Sequence, residues 1–180
     1  LDMLASGLGV YMLCRLLNLG NWSALLAAIA VTHGTIWLIG QSNLTVHGSL
    51  VWVAWTMAAV QYWLNAPSLF RAALMAVPAT FLVYAGYPHF AHGLAVYFAS
   101  MVIGWLMRSE GRAYLSANWR VLLVGSAMAV VLAVCLSAVQ LFPLLELVEN
   151  SHRSEGVGLA FGGMLSAKHL FAGMLFFSWF

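Results

Sequence analysis

Two groups of residues in this chain have the types and spacing for chemistry. The first lies within SAVQLFPLLELVENSHRSEGVGLAFGGMLSAK, residues 137–168, where Glu146, Glu149, His152, Arg153, Glu155 and Lys168 collect. Of the chain's seven basic and five acidic residues, five fall in this stretch. Glu146 and Glu149 are three apart and share one side of a helical turn. A carboxylate placed there can act as a general base or hold a divalent cation. Arg153 can grip a phosphate through two parallel hydrogen bonds. Lys168 and His169 open an apolar segment, near a helix N-terminus that favours anions. The second group is His89 and His92, in AGYPHFAHG. Gly86 and Pro88 make a tight break between two helices, and the two imidazoles then lie on one face of the following first turn. They can bind a phosphate or pass a proton.

Each group has a plainer reading beside the chemical one. The acidic and basic residues after Pro143 also fit a solvated loop whose charges keep it in water. His89 and His92 also fit polar residues at a membrane interface, where polarity alone implies no function. The glycines at 156, 158, 162 and 163 suit a mobile loop over a site or an ordinary linker, and no phosphate-loop pattern accompanies them. A metal reading would join His47 to His89 and His92, but the spacing of a known zinc motif is missing, so no metal site is assigned.

The elements that must position these groups follow from composition. The chain has 180 residues, of which 63% are hydrophobic and only 7% charged, with a mean hydropathy of +0.93. About a quarter of a soluble domain is charged, so this chain lacks the charge to cover a water-facing surface and lipid is its expected solvent. A net charge of +2 from scattered basic residues is too small to imply nucleic acid, and no nucleic-acid partner is expected. Cys14 and Cys135 both fall in apolar runs and read as small buried hydrophobes.

The expected fold is therefore all-α: a polytopic transmembrane bundle of about six full spans and a partial seventh, each span needing about 20 apolar residues. The segments are Leu1–Leu17, Trp22–Ile39, Gly48–Leu64, Leu69–Ala85, Phe90–Met107 and Ala117–Phe142, with a seventh from about Ala167. Polar connectors run Gly40–His47 and Arg108–Ser116. Pro143 is expected to end the sixth span, so that residues 143–167 form an outer loop carrying a short amphipathic helix. Residues 1–180 make one transmembrane region, read as a piece of a longer protein because it starts at Leu1 and ends in an apolar run. The tryptophans are expected in the interfacial belt or against lipid, and Arg15 as a side chain reaching the inner surface.

Basic residues in short connectors orient such a chain. With the first segment ending inside, the inner side carries Arg15, Arg71, Arg108, Arg112 and Arg120, and the outer side only Arg153 and Lys168. Five of the six histidines then lie at or near the outer face, which places both candidate groups there.

The order of segments resembles a known family. Residues 8–17, LGVYMLCRLL, with SALLA at 23–27, are similar to a segment of YfhO-like bacterial membrane proteins of the glycosyltransferase C (GT-C) superfamily. So are His47 with VWVAW at 51–55, AGYPH at 85–89, and AVQLFPLLEL at 138–147 with Ser151 and Arg153. The family often has a proline where this chain has Ala54-Trp55-Thr56. The resemblance implies an integral protein of the bacterial inner membrane that transfers a sugar from a polyprenyl-phosphate carrier to a cell-envelope acceptor on the outer face. It implies a catalytic acidic residue in an outer loop upstream of Leu1, which leaves the catalytic residue unassigned within this sequence. From the polar residues in this sequence, the substrate-binding candidates for such a transfer are His89, His92, Glu146, Glu149, His152, Arg153, Lys168 and His169. Beyond the lipid-linked donor no cofactor is assigned, a divalent cation remaining open; membrane lipids and a larger membrane complex are the expected partners. The alternative is a non-catalytic membrane subunit or scaffold. The scarcity of ionisable groups at mid-membrane depth argues against a coupled transporter.

Overall fold

A computed structural model describes residues 1–34, 44–85 and 89–149, the side chains at 44, 45, 47, 89–92, 144, 145 and 147–149 excepted. The described residues are all-α. Their helices are α1 (Asp2–Leu16), α2 (Asn21–Thr32), α3 (Leu44–Asn65), α4 (Leu69–Tyr84), α5 (His89–Met107) and α6 (Ser109–Glu149). The chain divides into two compact units, Leu1–Ser137 and Ala138–Phe180.

Short connections fold the first unit into antiparallel neighbours, and the turns show why. After α1, Asn18 takes a left-handed backbone with φ of 62°. Its N–H reaches Arg15 O at 3.1 Å, and Leu19 N–H reaches Cys14 O at 3.0 Å. This pair of bonds closes the helix end and spends its last carbonyls, and Arg15 Nη1 adds a bond to Leu19 O at 2.7 Å. Ser68 caps α4 by accepting from Arg71 N–H. Between α5 and α6 only Arg108 intervenes. Gly111 makes that reversal possible, because a Cβ there would collide with the Trp105 backbone.

α3 is the central helix: none of its residues from Val51 to Gln61 is exposed. It runs parallel to α1, tied by Asn65 Nδ2 donating to Leu16 O and Trp55 Nε1 donating to Ala5 O. α4 and α6 are likewise parallel and in register. Ala72 packs beside Gly125, Thr80 Oγ1 reaches Ala133 O at 3.5 Å, and Tyr84 Oη donates to Leu136 O at 2.5 Å.

Small residues line these contacts. On α2 the buried positions are Ala24, Ala28 and Thr32; on α4 they include Ala72, Ala76 and Thr80; on α6 they include Gly125, Ala129 and Ser137. Each set repeats at four residues, so each is one stripe along its helix. Small stripes let backbones approach closely and draw their stability from dispersion contacts. The hydroxyls bond back to their own helix, as Ser137 Oγ does to Ala133 O at 2.7 Å. Among the described residues, the largest side chains that are completely buried are serines, Ser6, Ser49 and Ser137.

Several boundaries differ from the sequence expectation. α2 stops at Thr32, twelve residues long, with His33 exposed at its end; residues 35–39 of the expected second span lie outside the described residues. His33 is therefore not within a helix interior, and its Nδ1 sits 3.1 Å from Ile29 O. Leu44–His47 belong to α3 and not to a loop. The polar stretch 109–116 is the start of α6, with Glu110 in its first turn, where a carboxylate complements the helix dipole. Pro143 does not end α6, which continues to Glu149. Proline removes one backbone bond, here to the carbonyl four residues earlier, and the flanking bonds carry the helix past it. The expected seventh segment and most of the expected outer loop lie outside the described residues. Cys14 is buried as expected, but Cys135 is exposed on α6.

Candidate functional site

The backbone places His89 and His92 on the first turn of α5, three residues apart. It places Glu146 and Glu149 on the last turns of α6, again three apart, with the Glu146 side chain exposed. Each pair thus shares a helix face, as the spacing requires. The first pair belongs to one compact unit and the second to the other. His152, Arg153, Lys168 and His169 lie outside the described residues, as do the side chains of His89, His92 and Glu149. Among the described residues no three His, Cys, Asp or Glu side chains converge as a metal site would need.

The basic residues are where the structure is most explicit. The α1–α2, α3–α4 and α5–α6 connections all lie at one end of the first unit, joined by side chains that donate to helix-end carbonyls. Asn65 bridges to Leu16 O at 2.9 Å and is itself held by Gln61. Arg71 Nη1 bonds Tyr62 O at 3.3 Å while its guanidinium stacks 4.2 Å from the Tyr62 ring centre. Arg112 Nη1 bonds Leu106 O at 2.9 Å, and Tyr114 Oη donates to Leu64 O. Arg15, Arg71, Arg108 and Arg112 therefore gather at one end, and Arg120 follows two turns along α6, 5.4 Å from the Trp119 ring centre.

Beside this end, α3, α4, α5 and α6 enclose a cleft of about 440 Å³, within the roughly 300–1,000 Å³ typical of ligand pockets. Its walls are almost wholly apolar, with Trp63, Met75, Met101 and Trp105 prominent. Two hydroxyls line it. Thr56 Oγ1 and Ser126 Oγ are committed to Trp52 O and Leu122 O, each at 2.6 Å. Trp63 is 4% exposed, and its Nε1–H has no described partner.

Sequence reasoning missed this cleft. It assigned the tryptophans to lipid or the interface; Trp119 is exposed, but the central ones are not free for lipid: Trp63 is core, Trp55 bonds α1, and Trp52 stacks on Phe81 at 4.4 Å. Trp37 lies outside the described residues. The available signal was the four-residue recurrence of Gly125, Ala129, Ala133 and Ser137 along α6, which marks a packing face.

By length and composition, one described helix, Ser109–Pro143, can cross a membrane. Compared with protein-family models, curated proteins and solved structures, the chain matches none.

Proposed function

We propose that this chain is part of a polytopic inner-membrane protein of the GT-C glycosyltransferase type. It would transfer a sugar from a polyprenyl-phosphate carrier to a cell-envelope acceptor at the outer face. The membrane part of this reading is supported by an inversion of the usual protein interior. Small residues are buried, while Trp22, Phe70, Leu4 and Leu123 are 79%, 74%, 72% and 66% exposed. α6 is apolar on all sides yet mostly unburied. A helix that is apolar all round needs a core or a lipid phase to cover it. Several helices, α1 and α2 among them, would cross or enter the bilayer together with α6.

The transfer activity is carried by one observation, the succession of four sequence segments that resemble the YfhO-like family in order. The gathering of arginines at one end supports the orientation, because that end would face the cytoplasm. His89 and His92, at the opposite end of α5 from Arg108, would then stand at the outer surface. Arg153 and Lys168 would meet the carrier phosphate, with Glu146 and Glu149 placing the acceptor. The test is sugar transfer from a synthetic polyprenyl-phosphate sugar by the reconstituted protein. The Arg153→Ala variant is expected to raise the donor KM by about tenfold or more, as loss of a charged hydrogen bond implies; unchanged transfer would sink that assignment.

A non-catalytic membrane subunit or scaffold is the second reading, and one observation favours it. The cleft runs from Leu115 near the arginine-rich end to Phe98 and Ala133, does not include His89 or His92 in its described lining, and holds no uncommitted hydroxyl. Absence of transfer with every lipid-linked sugar offered, together with co-purification of a fixed partner, would select it.

A further inference from the structure

We propose that the cleft between α3, α4, α5 and α6 holds an acyl chain of an anionic phospholipid whose phosphate is met by Arg108 and Arg112. This rests on the membrane part of the reading above and is independent of sugar transfer. The cleft's walls suit hydrocarbon: its two hydroxyls already donate to helix carbonyls, so an apolar occupant strands neither. Its position fixes which part of a lipid enters. Trp105 and Leu115 line it beside the α5–α6 reversal, and the two arginines flank that same reversal. Arg108 directly follows α5, and its N–H bonds Trp105 O at 3.1 Å. Arg112 is three residues before Leu115 on α6, hence on the same face and one turn nearer the end. Both side chains are exposed. Arg112 spends one of its five N–H groups on Leu106 O, leaving the others for an anion.

A lipid lying in the cleft would thus find hydrocarbon walls and, one helical turn away, positive charge. This complementarity favours an anionic lipid of the arginine-side leaflet over a further protein helix. A helix packed there would leave Arg108 and Arg112 without an anion and would want a small-residue stripe opposite Trp63 and Trp105.

The test uses the full chain, freed of lipid in detergent, with phosphatidylglycerol and phosphatidylcholine of identical acyl chains. Binding is read by native mass spectrometry and thermal shift. The chain is expected to retain one phosphatidylglycerol, preferred by about fivefold per arginine engaged, with the preference shrinking as salt rises. Arg108→Gln should lower the preference and leave phosphatidylcholine binding unchanged. Ala79→Phe fills the cleft from α4 and should abolish uptake of both lipids. Val102→Trp does the same from α5 and covers the case in which the first variant fails to fold. Val124→Phe, on the outer side of α6, should change nothing. Equal affinity for the two lipids, or unchanged phosphatidylglycerol retention in a folded cleft-filling variant, overturns the proposal. So does failure to take up either lipid. A chain that extracts with membranes but binds no phosphatidylglycerol sinks this inference alone; one recovered without detergent sinks the membrane reading as well.

Discussion

Trp55 and Trp63 sit eight residues apart on α3 and do the same steric job with different outcomes. Each indole lies against a glycine of another helix. A Cβ on Gly9 would stand 3.2 Å from Trp55 Cδ1, and one on Gly125 would stand 2.8 Å from Trp63 Cζ2. Trp55 then completes its contact by donating Nε1–H to Ala5 O at 3.0 Å. Trp63 is buried more deeply, leaves its N–H without a described partner, and borders the cleft. The first seam is closed on all terms. The second is closed only for its hydrocarbon, and the space beside it stays open. A bulky ring against a glycine fixes where two helices meet; whether the seam also seals depends on where the one polar atom falls.

That contrast can be broken in graded steps, each read by unfolding in detergent. Trp63→Ala should cost the most, about 3–5 kcal/mol, because it empties the centre of the cluster formed with Leu64, Ala72, Met75 and Ala129. Gly125→Leu and Gly9→Leu should each cost about 1–3 kcal/mol by overpacking. Gly125→Leu should be the worse of the two, since its nearest approach, 2.8 Å to Trp63 Cζ2, is tighter than the 3.0 Å at which a Cβ on Gly9 meets Ala54 Cβ. Trp55→Phe should cost about 1 kcal/mol, chiefly by orphaning nothing but losing a net hydrogen bond. Trp63→Phe should cost less than Trp63→Ala by most of the ring's packing, and it also removes a buried donor whose desolvation goes uncompensated. An equal loss in Trp55→Phe and Trp63→Phe would erase the distinction between the seams.

The sequence carried the coarse plan well. Apolar runs separated by short polar breaks placed most of the described helices to within a few residues, and the arginines at 15, 71, 108 and 112 marked connections that the fold brings together. It failed where three-dimensional neighbours decide. Nothing near Trp63 in sequence announces Gly125, so a residue expected in lipid became the centre of the core. The polar residues 109–116 looked like a connector because their charge was weighed without their helix. Glu110 and Arg112 are tolerated in the first turn of α6, where the dipole and the Leu106 carbonyl receive them. Pro143 looked like a stop because a proline usually is one, yet one missing bond did not end a helix of 41 residues. The candidate site was legible only as spacing: His89 with His92 and Glu146 with Glu149 share turns as expected, while the association of the two pairs depends on tertiary structure that spacing does not encode.

The tight reversal at Gly111 has a mechanical side. Among the described side chains, Arg112 of α6 bonds Leu106 O near the Met107 end of α5. From there the helix rises about 28 Å to His89, at 1.5 Å per residue. A rod that turns about that end acts as a lever. A tilt that displaces Trp105 by a fraction of an ångström sweeps the His89 end through several times that distance.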